Sequence, residues 1–280
     1  MPNTLNMKNC KLKIDDKSYA FEVEGDFFWG EDELLFPVED NVISKVDWYQ
    51  KGYKTVPSLS ETAYANLKES IRQILIKIMQ SKGIAVDDSF KLEEYHNYVK
   101  DDAVHNSIIS ETRELKNDDF DFDLDALAEN YSEVLNYKLS SFNPELGRTH
   151  VQLRINRPNS LDINPPHRDG YLSYWSNSIN VWIPIAGSNE NSSLPLLEGS
   201  HLINEKDILR TSSKGAKING NTYVVPCILE TKQGLEMIRP NPALTEAIIF
   251  TPFLIHGAAF NTNDNLTRFA LELRLSKVND

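Results

Sequence analysis

Three residues of this 280-residue chain have the side-chain chemistry of a metal centre: His167, Asp169 and His256. His167-Arg168-Asp169 follows Asn164-Pro165-Pro166, where two prolines disfavour a helix and favour an extended approach. In extended backbone, residues two apart point to the same side, so the imidazole and the carboxylate can meet at one point. Alone, His-x-Asp also fits a turn with a solvated aspartate, so the pair needs a third ligand. His256 follows the apolar run Ala247 to Ile255 and precedes Gly257-Ala258-Ala259. Its bland reading is a histidine satisfied in the core. Two histidines and one carboxylate would leave about three positions on an octahedral iron, room for a bidentate 2-oxo acid and oxygen. Arg268 shares strand parity with Ala270, Glu272 and Arg274. Its guanidinium could clamp the distal carboxylate of 2-oxoglutarate through two parallel hydrogen bonds, which lysine cannot imitate. The alternative is an ordinary surface ion pair with Glu272.

Such residues need rigid elements to hold them. From His150 onward, short apolar runs are separated by Asn, Pro, Gly and Ser. His150 to Asn156, Ile179 to Ile185, Tyr223 to Leu229, Ala247 to Phe250 and Phe269 to Leu275 read as strands, several alternating at period two. Many short strands with turn signals point to a mainly β jelly-roll, with helices of the first half packed outside it. In that first half, Leu12 and Ile14, then Tyr19, Phe21 and Val23, flank Asp15-Asp16-Lys17 as a hairpin would. Ser58 and Glu61 have capping-box spacing ahead of Leu67, Ile71, Ile74, Leu75 and Ile78, and Lys82-Gly83 closes that helix. A second helix is expected over 124–139, with Leu124, Leu127, Tyr131, Val134 and Leu135 on one stripe. The acidic run Asp118 to Asp123 before it lacks the glycine of a calcium loop and suits a solvated helix N-terminus.

A hydrophobic fraction of 40% is enough for a real core. We expect a single domain over 1–280, with 1–145 as mixed α/β support and 146–280 as the β core. The formal net charge of −12 argues against nucleic acid and anionic membrane surfaces as partners. No apolar run reaches the ~18–20 residues of a membrane span, and Met1 to Asn9 carries no signal-type stretch, so the expectation is a cytoplasmic protein. Cys10 and Cys227 have neither disulfide-framework nor metal spacing. Oligomeric state is not legible.

One ordered set of motifs carries a resemblance. Gln152-Leu153-Arg154-Ile155-Asn156, His167-Arg168-Asp169, Ile179 to Ile185, Glu198-Gly199-Ser200-His201, His256-Gly257 and Arg268 occur in the order found in the phytanoyl-CoA dioxygenase family, which includes the ectoine hydroxylases. The resemblance covers about residues 145 to 276. It implies a double-stranded β-helix that binds Fe(II) through His167, Asp169 and His256 and uses 2-oxoglutarate and O2 to hydroxylate a small molecule, releasing succinate and CO2. It also implies that Arg268 binds the 2-oxoglutarate C5 carboxylate, and that Asn156, Gln152 and Trp182 line the cosubstrate or substrate pocket. Glu198 to His201 resembles a structural turn in which Gly199 supplies backbone freedom. Family halogenases replace the aspartate by a small residue, so Asp169 implies hydroxylation or a related oxidation. The His256–Arg268 spacing is about one residue longer than the family pattern, which keeps Arg274 as the alternative arginine. Other readings are a cupin-like metalloenzyme without 2-oxoglutarate and a non-catalytic jelly-roll. The substrate, and hydroxylation against epimerisation or cyclisation, stay open.

Overall fold

The computed structural model describes residues 6–39, 41–160, 162–218 and 220–278. Its centre is a six-stranded antiparallel sheet in which Tyr53–Pro57, Glu246–Phe250, Ser178–Ala186 and Arg268–Lys277 lie side by side, and Val151–Asn156 and Leu139–Ser140 pair with the last of these. Val181, Ile183, Leu271 and Leu273 point outward into a core shared with the helices, while Asn180, Trp182, Arg268, Glu272 and Arg274 take the opposite parity. Both faces are covered, so every residue of Ser178–Ala186 is buried.

Opposite it lie a three-stranded sheet, Ile228–Thr231, Ile208–Thr211 and Phe27–Trp29, and a five-stranded one built on the hairpin Asn6–Ile14/Lys17–Gly25. The architecture is a mainly β jelly-roll with helices outside. Strands of the first half therefore belong to the sheets as well: Tyr53–Pro57 pairs with Glu246–Phe250 along its whole length. The hairpin reading holds, with Asp15 and Asp16 at φ 47° and 67°, the paired positive values a two-residue turn needs.

Other expectations need correction. The first helix, Glu61–Ser81, is capped by Ser60, whose side chain accepts from the Ala63 N–H at 3.2 Å. Ser58 instead bonds the Tyr131 hydroxyl at 2.5 Å. The second helix ends at Leu135, because Asn136 adopts a left-handed φ of 55°. Val134 is exposed and lies off the buried stripe. The strand expected over 223–229 is two strands, Asn221–Tyr223 and Ile228–Thr231, on either side of Val224-Val225-Pro226. A helix at Asp102–Thr112 has no counterpart in the sequence reading. Among the described residues no helix is long and apolar enough to cross a membrane.

Candidate metal centre and its cavity

His167 and His256 face each other across a short antiparallel bridge. The His167 N–H donates to the His256 carbonyl at 2.9 Å, and the His256 N–H to the His167 carbonyl at 3.1 Å. Arg168 is extended (φ −115°, ψ 129°), which returns Asp169 to the side of His167. All three side chains are buried, and one ligand atom from each lies within 4.8 Å of the others.

Each imidazole is oriented from behind. His167 Nδ1–H donates to the Pro165 carbonyl at 2.7 Å and His256 Nδ1–H to the Leu254 carbonyl at 2.9 Å. This assigns the proton to Nδ1 and leaves the Nε2 lone pair for the centre. His256 Nε2 is buried with no hydrogen-bond partner among the described residues, an arrangement costly for a polar atom unless something binds it. Both Nε2 atoms stand 3.6 Å from Asp169 oxygens. That is too far for a hydrogen bond, yet within the span of two ~2.1 Å bonds from a common centre. Burial, and then the neighbouring His167, hold His256 at about 4, so it stays neutral and able to ligate. Gly257 (φ 114°) permits the approach, because a Cβ there would meet the Pro165 carbonyl oxygen at 2.5 Å.

Asp169 is tethered through Oδ2, the oxygen nearer His256. Oδ2 accepts from Asn180 Nδ2 at 2.7 Å and from Arg274 Nη2 and Nε at 2.9 and 3.1 Å. Burial alone would raise this carboxyl, but Arg274 and the two histidines outweigh it and hold it well below the usual range. Arg274 also reaches Glu272 Oε1 at 3.1 Å, and Glu272 takes Arg154 on its second oxygen. Burial likewise opposes that charge, yet Arg154 and Arg274 bring Glu272 down to about 2.

Arg268 sits on the same face of the same strand in a different state. It is only 2% exposed, yet Nε and Nη1 are buried without a partner among the described residues. Its guanidinium lies 5.7 Å from the Trp182 ring centroid, and Trp182 Nε1 is also unpartnered. Burial, followed by the charges of Arg154 and Arg239, pushes Arg268 down to about 9. Such a cation lacks its anion. The surface ion pair with Glu272 does not form, since the partners of Glu272 are Arg154 and Arg274.

These groups line one cavity of about 790 Å³. Gln152 and Asn156 line it from Val151–Asn156. The Asn156 amide donates to the Ala259 carbonyl at 3.1 Å and to that of Asp162. Trp182 lines it as well, and the helix Asp102–Thr112 supplies Asp102, His105, Asn106 and Ile109, one face at helical spacing. His201 lies elsewhere, edge-on to Phe36 with ring centroids 4.9 Å apart, and Gly199 takes φ 71° in its turn.

Sequence reasoning missed the support beneath the ligands. Arg168, fully buried, donates to Glu205 and to the carbonyls of Ser200 and Ile203. Glu205 also accepts from Arg210 Nε at 2.9 Å and from the Tyr171 hydroxyl at 3.1 Å. The residue between two candidate ligands is thus anchored by a buried ion pair. Glu205→Ala strands the Arg168 charge and should cost about 3–5 kcal/mol; urea unfolding measures it. Iron(II) affinity should fall about 10–100-fold in the same variant, as for loss of other outer supports. Unchanged stability together with unchanged affinity would remove the anchoring role.

No family model matches the chain, and no curated protein matches it. Among solved structures it is similar to EctD from S. alaskensis with 2-oxoglutarate and 5-hydroxyectoine, at 14% identity over 90% of this chain and 84% of that one, TM-score 0.49. It is similar to AviO1 from Streptomyces viridochromogenes Tue57 at 16% identity, over 81% and 90% of the two chains, TM-score 0.43. SnoK, a non-heme alpha ketoglutarate dependent carbocyclase from nogalamycin biosynthesis, is 12% identical over 82% and 81%, TM-score 0.43.

Proposed function

We propose that this chain is a non-haem Fe(II)- and 2-oxoglutarate-dependent oxygenase that hydroxylates a small metabolite. One observation carries the reading: a buried two-histidine, one-carboxylate cluster shares its cavity with a buried arginine that has no anion among the described residues. The donor set suits iron(II), which two imidazoles and a carboxylate bind while leaving positions open. His167, Asp169 and His256 would hold it. When bound, iron(II) and 2-oxoglutarate together activate O2; one oxygen atom enters succinate as CO2 leaves, and the other enters the substrate C–H bond.

The protein's share is orientation. Backbone carbonyls fix both imidazole tautomers, and Arg274 with Asn180 keep Asp169 ionised while leaving Oδ1 free of them. Arg268, rather than Arg274, is the arginine for the 2-oxoglutarate C5 carboxylate: Arg274 already serves Asp169 and Glu272, whereas Arg268 has two nitrogens to offer. Trp182, Gln152 and Asn156 form the walls around that cosubstrate. His167, Asp169, His256, Arg268 and Arg274 are themselves buried, which strengthens these charge contacts. We take the whole of 1–280 as one catalytic domain, a reading supported by the first-half strand in the large sheet. The two buried free cysteines suit the reducing cytoplasm.

Iron-reconstituted protein in air should convert 2-oxoglutarate to succinate, at a slow uncoupled rate even before its substrate is known. His167→Ala should abolish this release, read by quantifying succinate. Full release in that variant would sink the assignment.

A further inference from the structure

We propose that the substrate is an organic anion whose carboxylate or phosphate is held by Arg113 and Arg154 in the cavity described above. This rests on the iron and 2-oxoglutarate reading and names what the remainder of that cavity takes.

Although the chain as a whole carries −12, the cavity is lined, among the described residues, by five arginines against four carboxylates. Three of the arginines are committed. Arg157 is tied to Asp162 at 2.9 Å and to Asp102 at 2.7 Å, Arg274 to Asp169 and Glu272, and Arg268 is assigned to the cosubstrate. Two remain. Arg154 uses only Nε, toward Glu272, whose other oxygen belongs to Arg274; its terminal nitrogens make no hydrogen bond among the described residues. Arg113, just past the end of the helix Asp102–Thr112, has no hydrogen bond or ion pair to its guanidinium among the described residues.

The two cations feel each other. Arg113 is exposed at the edge of the cavity, and partial desolvation there, then the charge of Arg154, hold it below its ordinary value. Like charges brought together this way cost free energy that a bound anion would recover. Filling the centre does not supply that anion, because the two positive charges of iron(II) balance the two negative charges of 2-oxoglutarate. Ile109, Tyr174 and Tyr223 line the same cavity and offer surface to an organic body attached to the charged group.

The test is anaerobic binding to the iron(II)- and 2-oxoglutarate-saturated protein by ligand-observed NMR, with phenylacetate, phenyl phosphate and phenylacetamide as probes. Saturating 2-oxoglutarate keeps Arg268 occupied. At least one anion should bind about tenfold tighter than the amide, in keeping with a charge-assisted contact. Arg113→Gln and Arg154→Gln should each erase most of that difference by weakening the anion alone. Arg113 holds nothing else, so its variant decides the matter even if Arg154→Gln disturbs Glu272. A tighter phosphate points to a phosphorylated substrate, and a tighter carboxylate to an organic acid. Equal binding of all three probes, no binding of any, or an anion preference that survives Arg113→Gln overturns the proposal. The 2-oxoglutarate absorption band is recorded on the same wild-type samples. If it fails to form, the cofactor reading falls, while the anion–amide difference still reports on the two arginines.

Discussion

Asp169→Ala is expected to weaken iron(II) binding by more than the roughly hundredfold that losing an outer support can cost, and to end turnover. Asp169 is the only carboxylate of the cluster, and it lies between the two imidazoles. Its removal also takes one of two carboxylates from Arg274, which keeps Glu272 at 3.1 Å. Because that second partner remains, the variant should fold, and metal loss can be read as such. Iron(II) titration followed by isothermal calorimetry makes the comparison, with circular dichroism as the check on folding. A folded variant that binds iron(II) like the wild type would remove Asp169 from the ligand set.

Arg268→Gln should raise the Kd for 2-oxoglutarate about a hundredfold or more, since truncating one partner of a buried charge pair typically costs 2–5 kcal/mol. The direction of a second effect separates this from general damage. Arg268 is buried without an anion among the described residues and is pushed down to about 9, so it is a burden on the protein lacking cosubstrate. Arg268→Gln should therefore leave the melting temperature of that protein unchanged or raise it, while abolishing the rise that 2-oxoglutarate gives the wild type. Arg274→Gln should behave oppositely, destabilising the protein through Asp169 and Glu272 before any cosubstrate is added. If Arg274→Gln alone lost 2-oxoglutarate, the assignment of the two arginines would be reversed.

The ligand-bearing half of the fold was legible because period-two alternation survives in its strands. Asn180 and Trp182 on one strand, and Arg268, Glu272 and Arg274 on another, fall on the cavity parity that counting assigns them. The N-terminal hairpin was legible for the same reason. Other features were hidden by tertiary competition. Ser58 and Ser60 both precede the first helix, and only the packing of Tyr131 against Ser58 decides which of them caps. The break after Tyr223 and the helix end at Asn136 had local signals, a proline and an asparagine able to adopt positive φ, which the apolar pattern overrode.

The helix Asp102–Thr112 escaped for a functional reason. Its cavity side carries Asp102, His105, Asn106 and Ile109 and its buried residues are His105, Ile108 and Thr112, so polar residues interrupt both and no apolar stripe betrays it. The Arg168–Glu205 anchor joins residues far apart in sequence, and no local rule reveals such a pair. Arg268 and Arg274 could not be told apart in sequence, since both lie on one parity of one strand; their different partners separate them.

The most direct test is an anaerobic titration of iron(II)-loaded protein with 2-oxoglutarate, monitored in the visible. A weak metal-to-ligand charge-transfer band should appear and saturate with the wild type and be absent from His256→Ala and Asp169→Ala. Iron(II) bound firmly with no band at any 2-oxoglutarate concentration would contradict the cosubstrate assignment.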